Sequence, residues 1–131
     1  MSEERFELRL EHFEKALAAL QVALDQPEDE FIRDSIIKRF ELAFETARKA
    51  MRQWLMEQEE LTGSDTKKAV MVASFRTGLI TDADLWDRLG AARNDTSHEY
   101  DQSKAMAIVA LVRAEAVLAM QDLLTQLKQR A

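Results

Sequence analysis

Apolar side chains recur at helical spacing along most of the chain, and this pattern limits the possible folds more than any other feature. In the first segment they are separated by four, three, four, three and four positions: Phe6, Leu10, Phe13, Leu17, Leu20 and Leu24. Residues at these spacings lie on one stripe of an α-helix. The chain also holds only three Gly and one Pro, too few turn formers for an all-β fold. The pattern therefore predicts an all-α protein.

Turn-forming residues divide this pattern into five predicted helices. Pro27 ends the first, because proline lacks an amide proton and disfavours helical geometry in the residue before it. The Gly in "LTGSD" ends the second, and Ser64 or Asp65 is predicted to cap the third at its N-terminus. We predict that the third helix runs over residues 66 to about 77 and places Phe75 in the core.

The last two predicted helices lie on either side of a polar stretch. Thr81 is predicted to cap the fourth helix, and Asp101 or Ser103 the fifth, which runs to about Gln129. The fifth begins with "AMAIVALV", whereas a surface helix needs only one apolar stripe. This helix should therefore lie centrally or be covered by a second subunit. We predict an up-and-down bundle of about four to five helices, a single domain over residues 1–131 that assembles as a homodimer.

The composition excludes several classes of function. The chain has no Cys, so it has no disulfide, thiolate metal site or thiol nucleophile. Its N-terminus is charged, and the longest apolar run, residues 105–112, is too short to cross a bilayer. We therefore expect a cytoplasmic protein without a membrane partner. Phosphate-loop motifs and paired Glu-x-x-His motifs are also missing, so we expect neither a cofactor nor a metal ion.

The net charge of −6 argues against binding nucleic acid through bulk electrostatics alone. Local basic clusters nevertheless occur: Arg48, Lys49 and Arg52, then Lys67 and Lys68, then Arg88 and Arg93. These clusters could bind phosphate. Alternatively, they are solvated faces that acidic neighbours balance, namely Glu45, Glu57, Glu59 and Glu60.

The polar stretch "RNDTSHEY", residues 93–100, is the most unusual segment of the chain. Arg93 and His98 lie five positions apart, so an unbroken helix would leave them roughly 140° apart on its surface. The four residues between them are poor helix formers, and the helix is predicted to end or bend there. A bend, or a two-fold axis between two copies, could bring both side chains to one ligand.

Arginine and histidine together suit phosphodiester chemistry. Histidine can take or give a proton near neutral pH, and the forked guanidinium of arginine matches a phosphate. These are the groups that RNA cleavage requires. The alternative is that Arg93 pairs with Asp95 or Glu99 and that His98 is an ordinary surface residue.

The pattern R-N-x-x-x-H-x-Y resembles the signature of the HEPN superfamily, and more closely that of its branch of nucleotidyltransferase substrate-binding proteins and HepT-like toxins. The residues that carry this pattern are Arg93, Asn94, His98 and Tyr100. Residues 33–51 resemble another stretch of that branch, and "GLITDADLW" at residues 78–86 resembles its Gly-Leu-Ile-x-Asp-x-x-x-Trp. Asp101 also follows the tyrosine as it does in the branch.

The resemblance implies a bundle of about five helices, a homodimer and metal-independent cleavage of RNA. In this interpretation Arg93 holds phosphate, His98 acts as acid or base and Asn94 supports them. The resemblance also implies a small nucleotidyltransferase partner, usually encoded beside this protein. In the toxin–antitoxin version that partner transfers AMP onto the tyrosine, here Tyr100, and so blocks RNA.

Two other functions remain open at this point: a non-catalytic subunit that presents a substrate to its nucleotidyltransferase, and a helical interaction module. In the second case Asn94 would serve only as a helix C-cap. The chain departs from the pattern of the branch at Lys38, where Gln is more usual, and at Arg48, where Trp is usual. We expect neither departure to touch the site.

Overall fold

The computed structural model describes residues 2–61, 63–96 and 101–131, which form helices and no β-strand. The first four helices are α1 (Ser2–Leu24), α2 (Glu30–Glu57), α3 (Lys67–Arg76) and α4 (Ala83–Asp95). They are followed by α5 (Gln102–Leu111), a π-helical turn (Val112–Ala116) and α6 (Val117–Gln129), which continue one another without a break. The predicted all-α, up-and-down bundle is confirmed, and its fifth helix corresponds to this continuous segment.

The core of the bundle is built mainly by α1 and α2, which share the most extensive contact, while α6 packs against both. The predicted apolar stripe of α1 is confirmed, since Phe13 and Leu20 are fully buried. The three helices together supply most of the fully buried large side chains: Phe13, Leu20, Ile36, Phe40, Met51, Leu55, Met120, Leu123 and Leu127. Burying each such side chain stabilises the fold by about 1.5–3 kcal/mol.

Aromatic and ionic contacts hold α4 between α2 and the last helical segment. The rings of Phe44 on α2 and Trp86 on α4 lie 6.0 Å apart between centroids. Arg88 on α4 donates to Glu115 in the π-helical turn at 2.9 Å. These contacts position the C-terminal end of α4, where the polar stretch begins.

The N-cap of α3 lies one or two residues later than predicted. Thr66 caps the helix, and its hydroxyl accepts a hydrogen bond from the amide of Ala69 at 3.1 Å. The predicted caps Ser64 and Asp65 are therefore wrong. The carboxylate of Asp65 instead accepts from Arg52 on α2 at 2.6 Å, a tertiary contact that the local sequence does not reveal.

The N-cap of α4 also lies later than predicted, by one residue. Asp82, not Thr81, accepts from the amide of Leu85 at 3.0 Å. For α5, the prediction of Asp101 is confirmed, since its carboxylate accepts from the amide of Ser103 at 2.8 Å. An ionised carboxylate also interacts favourably with the positive end of the helix, which favours aspartate at both caps.

Phe75 is not in the core as predicted, because its side chain is 52% exposed. The buried residues of the short helix α3 are Val70, Ala73 and Ser74. Each residue advances by about 100° around a helix, so Phe75 turns away from that face.

The apolar start of α5 is buried on one face only. Ala105, Ile108 and Val109 are buried, whereas Met106 is 54% exposed and Ala110 is also exposed. In a single chain this segment therefore does not lie at the centre of the bundle, and the first of the two expectations for it is wrong. None of the helices in the described part of the chain is both long and apolar enough to cross a bilayer.

Candidate functional site

The end of α4 falls inside the polar stretch, between Arg93 and His98, as predicted. α4 ends at Asp95, and Thr96 follows as its C-cap, with its hydroxyl donating to the Arg93 carbonyl at 2.7 Å. Asn94 lies inside α4, so the suggested role of this residue as C-cap belongs to Thr96 instead. Arg93 is thus fixed on a rigid element.

Of the four predicted site residues, the structure places two. Arg93 and Asn94 line the same groove on one side of α4. His98 and Tyr100 lie outside the described residues. The convergence of His98 with Arg93 on one ligand therefore stays a prediction.

Arg93 forms its ion pair with Glu45, on α2, and not with the neighbouring Asp95. The Nε atom of Arg93 lies 3.4 Å from Oε1 of Glu45. The other oxygen of the same carboxylate, Oε2, accepts a hydrogen bond from Nη2 of Arg48 at 3.0 Å. Two guanidinium groups therefore share one carboxylate.

These three side chains are only partly accessible to water, with 27% of Arg93, 23% of Glu45 and 15% of Arg48 exposed. Their charges are therefore screened less than those of fully exposed ion pairs. Within the described ranges, the guanidinium of Arg93 makes no hydrogen bond, and its contact with Glu45 is purely ionic. The Nε atom itself is buried beside this carboxylate.

The pKa of Glu45 is set by opposing effects. Burial by itself raises this pKa, but the hydrogen bond from Arg48 and the charges of Arg48, Arg93 and Lys67 outweigh it. The pKa of Glu45 therefore lies below its ordinary value of 4.5, and the carboxylate is ionised at neutral pH.

Replacing this carboxylate should reduce stability in a pH-dependent way. We expect Glu45→Gln to lower the free energy of unfolding by about 1–3 kcal/mol at neutral pH, because a charged hydrogen-bond acceptor is lost. The stabilisation by Glu45 is fully present above pH 4.5 and is lost as the pH falls through the lower pKa of the folded state. Denaturant unfolding across this pH range should show the difference between the two proteins shrink in acid.

Glu41 provides a matched control, because it lies one turn earlier on α2 and its only ion pair with a described residue is a 3.9 Å contact with Lys38. Glu41→Gln should change stability by less than about 0.5 kcal/mol. Equal losses in the two variants, or a loss for Glu45→Gln that does not depend on pH, would contradict the role assigned to Glu45.

The groove beside Arg93 has a volume of about 470 Å³ and is built by α2, α3 and α4. Its lining combines aromatic, charged and small side chains: Phe44, Glu45, Arg48, Lys67, Lys68, Met71, Trp86, Asp87, Gly90, Ala91, Arg93 and Asn94. Four cationic side chains face two carboxylates, which leaves an excess of two positive charges. The groove is therefore positively charged although the whole chain has a net charge of −6. A local positive charge suits an anionic ligand.

The basic clusters of the sequence separate into two groups in the structure. Arg52 is neutralised by Asp65 at 2.6 Å, and Arg88 by Glu115 at 2.9 Å, as expected for balanced surface faces. Arg48 instead lines the groove. Arg48 stands where the branch usually has Trp, and we expected this departure not to touch the site. That expectation is wrong, because Arg48 lines the groove beside Arg93.

Glu45 is the functional residue that sequence reasoning missed. Its spacing of three from Arg48 on one helix is a recognisable local signal. Its contact with Arg93 joins two helices, and no local pattern contains it.

The fold and the groove together define a class, that of all-α bundles with a cationic site at the end of the fourth helix. Comparison with known proteins identifies the family: the chain belongs to the family described as "Nucleotidyltransferase substrate binding protein like", whose model matches residues 8–129. The predicted resemblance to the HepT-like branch of the HEPN superfamily is thereby confirmed.

One curated relative is a Haemophilus influenzae protein named "Probable ribonuclease HepT", which is 36% identical to this chain over 97 residues. The alignment covers 72% of this chain and 66% of the relative, so the chain spans just under two thirds of that protein's length.

Two solved structures share the fold. A Thermus thermophilus protein is 32% identical, with a TM-score of 0.78, over 88% of this chain and 98% of its own. A Haemophilus influenzae protein, described as having the fold of a substrate binding domain of a nucleotidyltransferase, is 27% identical, with a TM-score of 0.80. That match covers 91% of this chain and 98% of the other.

Proposed function

We propose that the chain is a metal-independent ribonuclease, the toxin of a toxin–antitoxin pair. The observation that carries this proposal is the position of Arg93: a guanidinium near the end of a helix, paired with Glu45, in a groove of excess positive charge. A forked donor in such a place is suited to a phosphate of RNA.

The proposed reaction is a transesterification at a phosphodiester group of the RNA strand. His98 removes the proton of a 2′-hydroxyl, whose oxygen attacks the adjacent phosphorus while the bond from phosphorus to the 5′-oxygen breaks. The leaving oxygen takes up a proton from an acid, and a 2′,3′-cyclic phosphate remains on the other fragment. Arg93 stabilises the negative charge that develops on the phosphate oxygens.

The relative named as a probable ribonuclease supports this assignment. The direct test is to incubate the purified protein with RNA in the presence of a chelator. Fragments that end in a cyclic phosphate or a 3′-phosphate are expected. Intact RNA under these conditions would refute the proposed activity.

We also propose that the active form is a homodimer, in which two Arg93 and His98 sets lie near the subunit interface. The exposed apolar side chains of the last helical segment support this assembly, with Met106 54% and Leu118 61% exposed. Large exposed apolar side chains that line one face are typical of protein interfaces.

A charge on this face should prevent dimerisation. We expect Leu118→Asp to shift the protein from dimer to monomer in analytical ultracentrifugation, because a carboxylate at an apolar interface is desolvated without a partner. Val72→Asp is the control, since Val72 is similarly exposed, at 55%, but lies on α3. A monomeric wild type, or a Leu118→Asp variant that dimerises normally, would contradict the proposed interface.

The proposed restraint is a small nucleotidyltransferase, encoded beside this protein, that transfers AMP from ATP to the phenol oxygen of Tyr100 and releases pyrophosphate. An adenylyl group two positions from His98 would carry its phosphate toward the cations of the groove and compete with RNA. The family to which the chain belongs supports a partner of this class.

The second candidate function is a non-catalytic subunit that presents a substrate to that nucleotidyltransferase. The description of the matched family and of the second solved structure favours it. The two functions differ in one observable result. A presenting subunit would leave RNA intact but would increase nucleotidyl transfer by its partner to a third molecule.

A further inference from the structure

Two lysines occupy an electrostatically unfavourable position at the start of α3. Lys67 and Lys68 are the first two residues of this helix, where the backbone amides create a positive potential. Their first turn holds no acidic residue, whereas the first turns of α2 and α4 contain Glu30 and Asp84. The two lysine charges therefore destabilise the helix end on which they lie, and an anion would relieve this repulsion.

Both lysines line the groove that contains Arg48 and Arg93. Both are exposed, and neither forms an ion pair with any residue in ranges 2–61, 63–96 and 101–131. Arg48 and Arg93, by contrast, share Glu45. Lys67 acts on Glu45 only through the long-range effect of its charge, so the start of α3 is the part of the groove whose described cations have no ion pair.

We propose that Lys67 and Lys68 bind the RNA phosphate next to the one held at Arg93, so that the groove accommodates two successive phosphates. This inference rests on the proposed function, and it describes how the proposed ribonuclease site binds its RNA substrate. Once Glu45 and Asp87 are counted, the groove keeps two positive charges, which two phosphodiester groups would neutralise. Its cations come from α2, α3 and α4, an arrangement suited to a strand that passes several helices.

The rest of the lining indicates how selective this binding is. Phe44 and Trp86 are 4% and 3% exposed, so they contribute to the floor and offer no free ring face for stacking a base. Backbone phosphate contacts carry no direct sequence information. We therefore expect the lysines to increase the affinity for any single-stranded sequence to a similar extent.

The test uses a fluorescent 2′-O-methyl oligoribonucleotide, in which the attacking hydroxyl is blocked, so that binding is measured without cleavage. The Lys67→Ala/Lys68→Ala variant should bind at least about tenfold more weakly than wild type. The slope of log affinity against log salt concentration should become shallower by about 0.7, because one phosphate contact is lost from a single strand. The control is Lys15→Ala/Lys49→Ala, which removes the same charge from exposed positions outside the groove and should bind like wild type.

A structural role for the lysines would give a different result. Lys68→Glu places an acidic residue in the first turn of α3, so it should keep or raise the unfolding temperature while binding is lost. Equal loss of binding in the control pair, or wild-type binding by Lys67→Ala/Lys68→Ala, would overturn the inference. Displacement of the oligonucleotide by a mononucleotide at an equal phosphate concentration would also overturn it.

The outcome can be separated from that of the proposed function. If the wild type cleaves RNA but the lysine pair does not affect binding, this inference fails and the ribonuclease remains. If the wild type does not cleave RNA but binding still depends on the pair, the ribonuclease fails and the phosphate contacts stand.

Discussion

His98→Ala is expected to lower the rate of RNA cleavage at least about a hundredfold, because proton transfer by a positioned side chain contributes about 10²–10⁴-fold to such reactions. The rate should be measured with a defined oligoribonucleotide in the presence of a chelator. His12→Ala is the matched control, since His12 is the other histidine of the chain and is exposed on α1. It should cleave at the wild-type rate.

The same assay should show a comparable loss for Arg93→Ala. Arg93→Lys should restore little activity, because a lysine retains the charge but cannot form the paired hydrogen bonds of a guanidinium. Arg5→Ala, which removes an exposed arginine of α1, should have no effect. Cleavage that persists in both His98→Ala and Arg93→Ala would identify a contaminating nuclease and refute the assigned site.

Tyr100→Phe is expected to abolish adenylylation entirely, since phenylalanine has no hydroxyl to accept the adenylyl group. The chain contains a single tyrosine, so a modification of tyrosine can occur only there. After coexpression with the proposed nucleotidyltransferase partner, intact-mass spectrometry should show the added mass of AMP on wild type and none on Tyr100→Phe. The unmodified variant should cleave RNA whether or not the partner is present.

The variant also separates two ways in which the partner could act. If the nucleotidyltransferase inhibits Tyr100→Phe as strongly as wild type, it restrains the toxin by binding and not by modification. An AMP adduct that persists on Tyr100→Phe would place the acceptor on another hydroxyl. Ser97→Ala, three residues earlier, is the control for modification of a nearby side chain.

Sequence periodicity predicted the fold well, because the information is local. Spacings of three and four placed Phe13 and Leu20 on the apolar stripe of α1, where both are fully buried. Cap positions were less predictable. Asp65 could cap α3 as well as Thr66 could, until its carboxylate is seen to be engaged by Arg52 from another helix.

The candidate site was predictable only in part for the same reason. Arg93 was a candidate from its type and its spacing to His98, and the resemblance to the HEPN signature favoured it as a site residue. The end of the helix between them followed from the poor helix formers there. The groove depends on which helices meet. The pairing of Glu45 with Arg93, and the place of Arg48 beside them, arise from the packing of α2 against α4 through Phe44 and Trp86.

The shared carboxylate also bears on the proposed reaction once the strand is cut. Glu45 is a resident competitor of any phosphate that approaches Arg93, because its carboxylate is carried by α2 and its Oε1 lies 3.4 Å from the Nε of Arg93. In the proposed reaction RNA would have to displace or share this contact, which would weaken binding in the ground state. After cleavage the carboxylate would pair with the guanidinium again, so the proposed ribonuclease would release its product rapidly and would not retain RNA tightly.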